Sequence, residues 1–249
     1  MEDGNGEITR REFVAATGSA VGMVMAPGAL WDGARRSGPP SGPVVLFQGD
    51  SITDCGRDRA VAEPNQSGPL GGGYPLLIAA QHLMARPEAG FRFLNRGVSG
   101  NKVPDLDARW QADALDLRPD VLSVLIGVND LWHKLMGQYT GTVEQYESGY
   151  AALLARTRRA LPDVRLVVLE PFVLRTGAVG DAWFPEFDQR RAAAARVASG
   201  AGATFVPLQA MFDQLTARAP AAYWTADGVH PTVAGHGAIA QQWMQSVAL

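Results

Sequence analysis

The chain has 249 residues, of which 47% are hydrophobic and 19% are charged, and its formal net charge at pH 7 is −3. This length accommodates one α/β domain with a large core or two small domains. The weak negative charge and the lack of a run rich in Lys and Arg argue against a nucleic-acid partner. With a single cysteine, Cys55, an intramolecular disulfide is excluded and a cysteine-based zinc site is not expected.

The first element in chain order differs in composition from the rest. Residues 9–14 contain paired arginines and precede residues 15–26, an uncharged stretch rich in Ala, Gly, Val and Met. A basic segment before a short apolar run is typical of an export signal, and the paired arginines resemble a twin-arginine signal. The apolar run is short for a membrane span, and an N-terminal core helix is the alternative interpretation. Residues 27–43, rich in Gly and Pro, predict a linker.

These features divide the chain at residue 44. We expect residues 1–43 to be a twin-arginine-type signal peptide and linker, and residues 44–249 to form the folded domain. The expected location is secreted or periplasmic, with no membrane span in the mature chain.

From residue 44 onward, short apolar runs alternate with amphipathic segments. The apolar runs are bounded by Gly, Pro, Asn or Asp and predict buried parallel strands; they lie at residues 44–47, 91–94, 121–126, 164–169 and 204–206. Helices are predicted at residues 74–86, 103–117, 143–160, 187–199 and 232–247. This alternation predicts an α/β fold, a three-layer αβα sandwich around a five-stranded parallel sheet of flavodoxin-like order.

Small and polar residues follow each of the first three predicted strands. They lie at residues 49–51, 95–100 and 127–130. In an open parallel sheet, active sites form outside the carboxyl ends of the strands. One such cluster alone is weak evidence because Gly, Asn and Ser favour any turn. The agreement of three clusters predicts a shared site at this edge of the sheet.

Ser51 directly follows the first predicted strand and is a candidate nucleophile. A serine hydroxyl attacks a carbonyl efficiently only when a base removes its proton. His230 is the candidate base because Asp227, three residues earlier, can bond one ring nitrogen and hold the tautomer. Taken alone, this loop could equally be the turn before the last helix. Of the other histidines, His82 and His236 lie in predicted helices, whereas His133 follows the third strand end and could line a pocket.

Four sequence blocks together resemble those of the SGNH/GDSL hydrolase superfamily. They are Gly49-Asp50-Ser51-Ile52-Thr53, then residues 95–100, then Gly127-Val128-Asn129-Asp130, and finally residues 227–230. The resemblance covers residue 44 to the C-terminus and implies the SGNH hydrolase fold. The Gly-x-Ser-x-Gly elbow of α/β-hydrolases is absent, which argues against that fold.

The resemblance also implies a role for each matching residue. Ser51, His230 and Asp227 would form the catalytic triad. The backbone N–H groups of Ser51 and Gly100 and the side chain of Asn129 would form the oxyanion hole. Such an enzyme hydrolyses an ester through an acyl-enzyme and needs no metal or organic cofactor.

A narrower resemblance is carried by residues 49–57, 73–74, 97–101, 108–110, 127–132 and 229–236. These residues are similar to those of bacterial acetylxylan and acetyl-xylooligosaccharide esterases, which implies removal of acetyl groups from sugar hydroxyls. Aromatic side chains near the blocks are candidates for stacking on sugar rings, although core packing is the alternative. The candidate substrate contacts are Asp50, Tyr74, Trp132 and Trp224.

Two other functions remain open at this point. The same residues would serve a lysophospholipase, thioesterase or arylesterase, and the fold could also belong to a non-catalytic carbohydrate-binding protein. A base-activated serine has no use in a binding protein, which disfavours the second alternative. The expected partner is a small-molecule or oligosaccharide ester, and the sequence leaves homo-oligomerisation open. A metal-dependent phosphoesterase is not expected because no ligand cluster has metal-binding spacing.

Overall fold

A computed structural model describes residues 42–249, so the predicted signal peptide and nearly all of the predicted linker lie outside the described residues. The strands are β1 Val44–Gly49, β2 Arg92–Asn95, β3 Val121–Leu125, β4 Arg165–Leu169 and β5 Thr204–Val206. The helices are α1 Ser51–Asp54, α2 Ser67–Leu70, α3 Tyr74–Ala85, α4 Val103–Trp110, α5 Val128–Leu135, α6 Val143–Ala160, α7 Glu186–Gly200, α8 Leu208–Thr216, α9 Ala221–Trp224 and α10 Val233–Ser246. Within residues 42–249, none of the helices is long and apolar enough to cross a bilayer.

The five strands form one parallel sheet in the order β2-β1-β3-β4-β5, which confirms the predicted flavodoxin-like arrangement. From β1 the chain crosses outward to β2 and then returns to β3 on the other side of β1. The direction of winding therefore reverses between β1 and β3. A crevice opens at the carboxyl ends of two such strands, because the helices that follow them diverge to opposite faces.

Helices cover both faces of the sheet, and the strand side chains alternate between the two layers. Val45 and Phe47 pack into one apolar cluster with α3, α8 and α10, whereas Val44 and Leu46 pack into the other with α4, α6 and α7. All six residues of β1 are buried. A strand buried on both faces reads as a continuous apolar run, which is why β1 was predictable from sequence.

Several short helices were not predicted: α1, α2, α5, α8 and α9. The segment that forms α5 begins with Val128-Asn129-Asp130, and Asn and Asp ordinarily favour turns over helix interiors. Tertiary contacts decide the outcome here, since Val128 and Leu131 both pack into the apolar core. The predicted helix at 103–117 is α4 followed by one π-helical turn over Gln111–Leu115.

Candidate active site

The position of Ser51 is set by the turn from β1 into α1. Ser51 is the first residue of α1, and Asp50 caps that helix by accepting a hydrogen bond from the Ile52 N–H at 3.0 Å. Only glycine fits at position 49, because a Cβ there would lie 2.3 Å from the Leu125 carbonyl oxygen of β3. The tight turn places the serine at the carboxyl edge of the sheet, beside the crevice between β1 and β3.

The structure brings Ser51, His230 and Asp227 into one chain of hydrogen bonds. The Ser51 Oγ lies 2.9 Å from His230 Nε2, and His230 Nδ1 lies 2.7 Å from Asp227 Oδ2. When Nδ1 carries the proton and donates it to the carboxylate, Nε2 is unprotonated and faces the serine hydroxyl. This is the arrangement that allows an imidazole to act as a general base toward a serine.

The second oxygen of Asp227 fixes the carboxylate in its own loop. Asp227 Oδ1 accepts hydrogen bonds from the backbone N–H groups of Val229, at 2.9 Å, and His230, at 2.7 Å. Partial burial raises the pKa of Asp227, but the hydrogen bonds from His230 and Val229 outweigh it and hold the pKa below its usual value. The carboxylate therefore stays ionised at neutral pH and stabilises an imidazolium on His230.

The candidate oxyanion-hole residues lie on the two neighbouring segments that follow β2 and β3. Gly100 has a positive φ of 83°, a backbone conformation that favours glycine. Asn129, in the first turn of α5, is buried and donates from Nδ2 to the Asn101 carbonyl oxygen at 3.1 Å. The Val98 N–H donates to the Gly49 carbonyl oxygen at 3.0 Å, which ties the β2 segment to the residues just before Ser51.

Comparison with known proteins identifies the family of this chain. The model of the GDSL-like Lipase/Acylhydrolase family matches residues 47–238. The chain belongs to this family. An acetylxylan esterase of Geobacillus stearothermophilus is 34% identical over 211 residues, which cover 83% of this chain and 94% of the relative. This GDSL-like acylhydrolase is accordingly a carboxylic ester hydrolase.

Solved structures show the same fold for this acylhydrolase. A candidate GDSL-like lipase from Parabacteroides merdae superimposes with a TM-score of 0.80 at 48% identity, covering 82% of this chain and 94% of the other. The structure of an acetylxylan esterase from Geobacillus stearothermophilus gives a TM-score of 0.74 at 32% identity, with coverages of 85% and 96%. The predicted SGNH hydrolase fold is thereby confirmed.

Two of the four candidate substrate contacts of the acylhydrolase have buried side chains in this structure. The Asp50 side chain turns back to cap α1 and is 1% exposed. Tyr74 is fully buried; its hydroxyl lies 2.9 Å from Thr53 Oγ1, and its ring packs edge-on against Phe47. In both cases a backbone group or a core residue contacts the side chain that the sequence pattern assigned to the substrate.

The remaining candidate contacts, Trp132 and Trp224, lie in different surroundings. The Trp132 ring is half-buried, and its centroid lies 5.8 Å from that of His230 and 5.7 Å from that of Trp183. Trp132 therefore forms a wall beside the candidate base, and Trp183, whose position the sequence did not predict, supports it from behind. Trp224 donates from Nε1 to the Ala219 carbonyl oxygen at 3.1 Å and packs against the core, so its role toward substrate stays a prediction.

His236 and Cys55 form a structural pair next to the site. The Tyr74 N–H donates to His236 Nδ1 at 3.2 Å, which leaves Nε2 to carry the proton and face Cys55 Sγ at 3.4 Å. Burial lowers the pKa of His236 to about 4 and raises the pKa of the Cys55 thiol. A neutral imidazole that donates toward a protonated thiol does not activate it, so Cys55 is a poor nucleophile near neutral pH.

Asp50 and Asp130, which adjoin Ser51 and Asn129 in sequence, have buried carboxyl groups. Burial raises the pKa of Asp50 to about 7, with a further increase from Asp130 and an opposing decrease from the Ile52 N–H. Burial also raises the pKa of Asp130 to about 6, opposed by the hydrogen bond from the Val103 N–H and by Arg190. Within residues 42–249, no group of three or more His, Cys, Asp or Glu side chains is placed to hold a metal ion.

Replacing Asp50 with asparagine is expected to stabilise the protein as the pH rises. The folded-state pKa of Asp50 exceeds its unfolded value, so its contribution to stability is present below about pH 4 and is lost as the pH rises through 7. In Asp50→Asn the neutral amide oxygen still accepts from the Ile52 N–H. The variant should gain stability over the parent between pH 4 and pH 8, by at most on the order of 4 kcal/mol. Urea unfolding of both proteins at several pH values checks this, and a constant difference between them would contradict it.

Proposed function

We propose that this acylhydrolase removes acetyl groups from carbohydrate hydroxyls, with Ser51 as nucleophile, His230 as general base and Asp227 as its orienting carboxylate. The observation that carries the proposal is the pair of contacts at His230, 2.9 Å to the serine and 2.7 Å to the aspartate. The substrate class is supported by the similarity to the acetylxylan esterase. Variants of that esterase with alanine in place of a serine or a histidine are described as catalytic mutants.

The reaction begins with attack of Ser51 Oγ on the acetyl carbonyl carbon while His230 Nε2 accepts the serine proton. The carbonyl oxygen becomes an oxyanion, which the N–H groups of Ser51 and Gly100 and the Asn129 amide stabilise. The C–O bond to the sugar then breaks, and His230 returns the proton to the leaving alkoxide. Water next attacks the acetyl-enzyme with His230 again as base, which releases acetate and restores Ser51.

The site is open, which suits a bulky alcohol group. The side chains of His230 and Asp227 are 41% and 35% exposed. Because His230 Nε2 must protonate the leaving oxygen, the sugar that carries the ester lies next to the imidazole during catalysis. Trp132, whose ring is 5.8 Å from His230, is thus on the leaving-group side and can stack on the sugar ring.

An acetate-release assay tests the substrate class. The substrates are acetylated xylo-oligosaccharides, beside aryl esters of increasing acyl length, with Ser51→Ala as the blank. We expect efficient acetate release and a steep loss of kcat/KM beyond the shortest aryl esters. A preference for long acyl chains, with no acetate released from the oligosaccharides, would overturn the acetyl-sugar assignment in favour of a lysophospholipase or thioesterase.

Trp132→Ala should distinguish sugar stacking from simple packing. Loss of a stacking surface is expected to raise KM for acetylated xylo-oligosaccharides about 3- to 10-fold, or roughly 1 kcal/mol, with a smaller change for a short aryl acetate. Trp132→Phe should restore most of the loss. Trp224→Ala, measured in the same way, tests the other candidate contact, whose described contacts are with its own loop and the core. Equal KM changes on both substrates would argue against stacking.

We also propose that the N-terminal segment directs export by the twin-arginine route. The support is the paired arginines at residues 10–11 followed by an uncharged stretch over residues 15–26. Mass spectrometry of the protein from its native host should find the mature chain in the exported fraction and cleaved before residue 44. An intact N-terminus in the cytoplasm would refute the proposal.

A further inference from the structure

The segments that carry Gly100 and Asn129 must be held in a fixed relative position for both to donate to one oxyanion. Gly100 follows β2 and Asn129 follows β3, but these strands are not paired in the sheet, because β1 lies between them. Sheet hydrogen bonds therefore connect these two segments only through β1. Direct contacts between the Gly100 and Asn129 segments lie above the carboxyl edge of the sheet.

Two hydrogen bonds cross directly between these segments. One is the bond from Asn129 Nδ2 to the Asn101 carbonyl oxygen, at 3.1 Å. The other runs from the Val103 N–H to Asp130 Oδ1, at 3.2 Å. Val103 is the first residue of α4, and the N–H groups in the first turn of a helix have no acceptor within the helix. Asp130, in the first turn of α5, supplies the missing acceptor from the other segment.

The carboxylate of Asp130 occupies a costly position for a purely structural group. Asp130 is fully buried, and its Oδ2 has no hydrogen-bond partner within residues 42–249. Arg190 and Lys102 lower the pKa of Asp130 by their charge, but each forms its own ion pair, Arg190 with Glu186 and Lys102 with Asp105. A buried charge is retained only where its interactions repay its desolvation, or where it specifies one arrangement of its neighbours.

We propose that Asp130 is a positioning residue of the oxyanion hole. Its carboxylate fastens the start of α4 to α5, and so keeps the Gly100 N–H and the Asn129 amide directed at the same point. The inference rests on the proposed function, since it takes Gly100 and Asn129 as oxyanion donors. It assigns to the last residue of the third sequence block a role separate from that of Asn129.

The first test compares Asp130→Ala and Asp130→Asn on a short aryl acetate. Asp130→Ala should lower kcat about 10- to 100-fold with little change in KM, because misplacing a transition-state contact by ~1 Å can cost as much as 10²-fold. Asp130→Asn should keep most of kcat, since the amide oxygen can still accept from the Val103 N–H. In an Asn129→Ala background, Asp130→Ala should cost less than about 3-fold more, because residues in one network are not additive.

A second pair of variants removes the same hydrogen bond without touching Asp130, in case Asp130→Ala does not fold. Val103→Pro lacks the N–H, and proline is well tolerated at the first position of a helix; Val103→Ala retains the N–H. We expect Val103→Pro to lower kcat and Val103→Ala to leave it within a few-fold of the parent. Asp120→Ala is the matched control, because Asp120 accepts from the Val44 N–H at 2.7 Å at the opposite end of the sheet. It should lower the melting temperature and spare kcat.

The outcomes separate this inference from the proposed function. If the parent releases no acetate from any ester, or if Ser51→Ala remains active, the proposed function fails. If the parent is active and folded Asp130→Ala and Val103→Pro keep full kcat, the positioning role is overturned. The same holds if Asp130→Ala costs as much in the Asn129→Ala background as in the parent, because its effect then does not pass through the hole.

Discussion

Ser51→Ala is expected to abolish ester hydrolysis while leaving the protein folded. Ser51 Oγ lies 2.9 Å from His230 Nε2, and its loss removes the nucleophile at a residue outside the buried core. Removal of a triad nucleophile typically lowers kcat by about 10⁴-fold or more, and the remaining rate comes from the oxyanion hole and binding. The measurement is kcat on an aryl acetate with the melting temperature of both proteins, and loss of labelling by a fluorophosphonate probe should accompany it.

Cys55→Ala is the matched control for the nucleophile, since Cys55 lies one helical turn beyond Ser51. Its thiol faces the Nε2 of a buried, neutral His236, which carries the proton on that nitrogen and does not act as a base toward the thiol. Cys55→Ala should therefore keep most of kcat. An active Ser51→Ala enzyme that iodoacetamide inactivates, with protection by Cys55→Ala, would refute the assignment of Ser51.

Asn129→Ala is expected to lower kcat about 10²- to 10³-fold with little change in KM, because an oxyanion contact strengthens mainly in the transition state. Asn129 is not the cap of α5, since that position is Gly127. Its Nδ2 donates to the Asn101 carbonyl oxygen, which leaves the second N–H of the amide available for the oxyanion.

The alternative is that Asn129 only joins the two segments. In that case Asn129→Ala should lower stability by about 1 kcal/mol, the usual contribution of one hydrogen bond, and spare the rate of the folded enzyme. Asn65→Ala provides the comparison, because Asn65 makes two side-chain hydrogen bonds to the backbone at Phe91 and Phe93. We would measure kcat, KM and the melting temperature of both variants. A folded Asn129→Ala enzyme with kcat within a few-fold of the parent would remove Asn129 from the hole.

The sheet was largely predictable from sequence, whereas the direction of individual side chains was not. Each strand lies within two residues of its predicted bounds, because continuous apolar runs between turn residues have few alternatives to a buried parallel strand. The association of Ser51 with residues 227–230 also followed from sequence, through block order and spacing. The burial of Asp50 and Tyr74 did not follow from sequence. It depends on the hydrogen bond from the Ile52 N–H to Asp50 and on the packing of Tyr74 against Phe47 in the core.

The link between Asp130 and Val103 was likewise beyond sequence analysis. It joins residues 27 positions apart, on segments that follow two strands separated in the sheet by β1. A turn-forming Asp after a strand is consistent with a helix cap, a substrate contact or a hydrogen bond that links two segments. Only the three-dimensional course of α4 and α5 distinguishes among these roles.

The distance in sequence between the nucleophile and its base has a consequence for how the enzyme becomes active. Ser51 and His230 are 179 positions apart, and the loop that holds His230 precedes only the last helix, α10. Contacts between such distant residues form late, because the entropy of closing a long loop must be overcome first. Recovery of esterase activity after dilution from denaturant therefore reports completion of the whole domain, and should lag behind the recovery of helical circular dichroism.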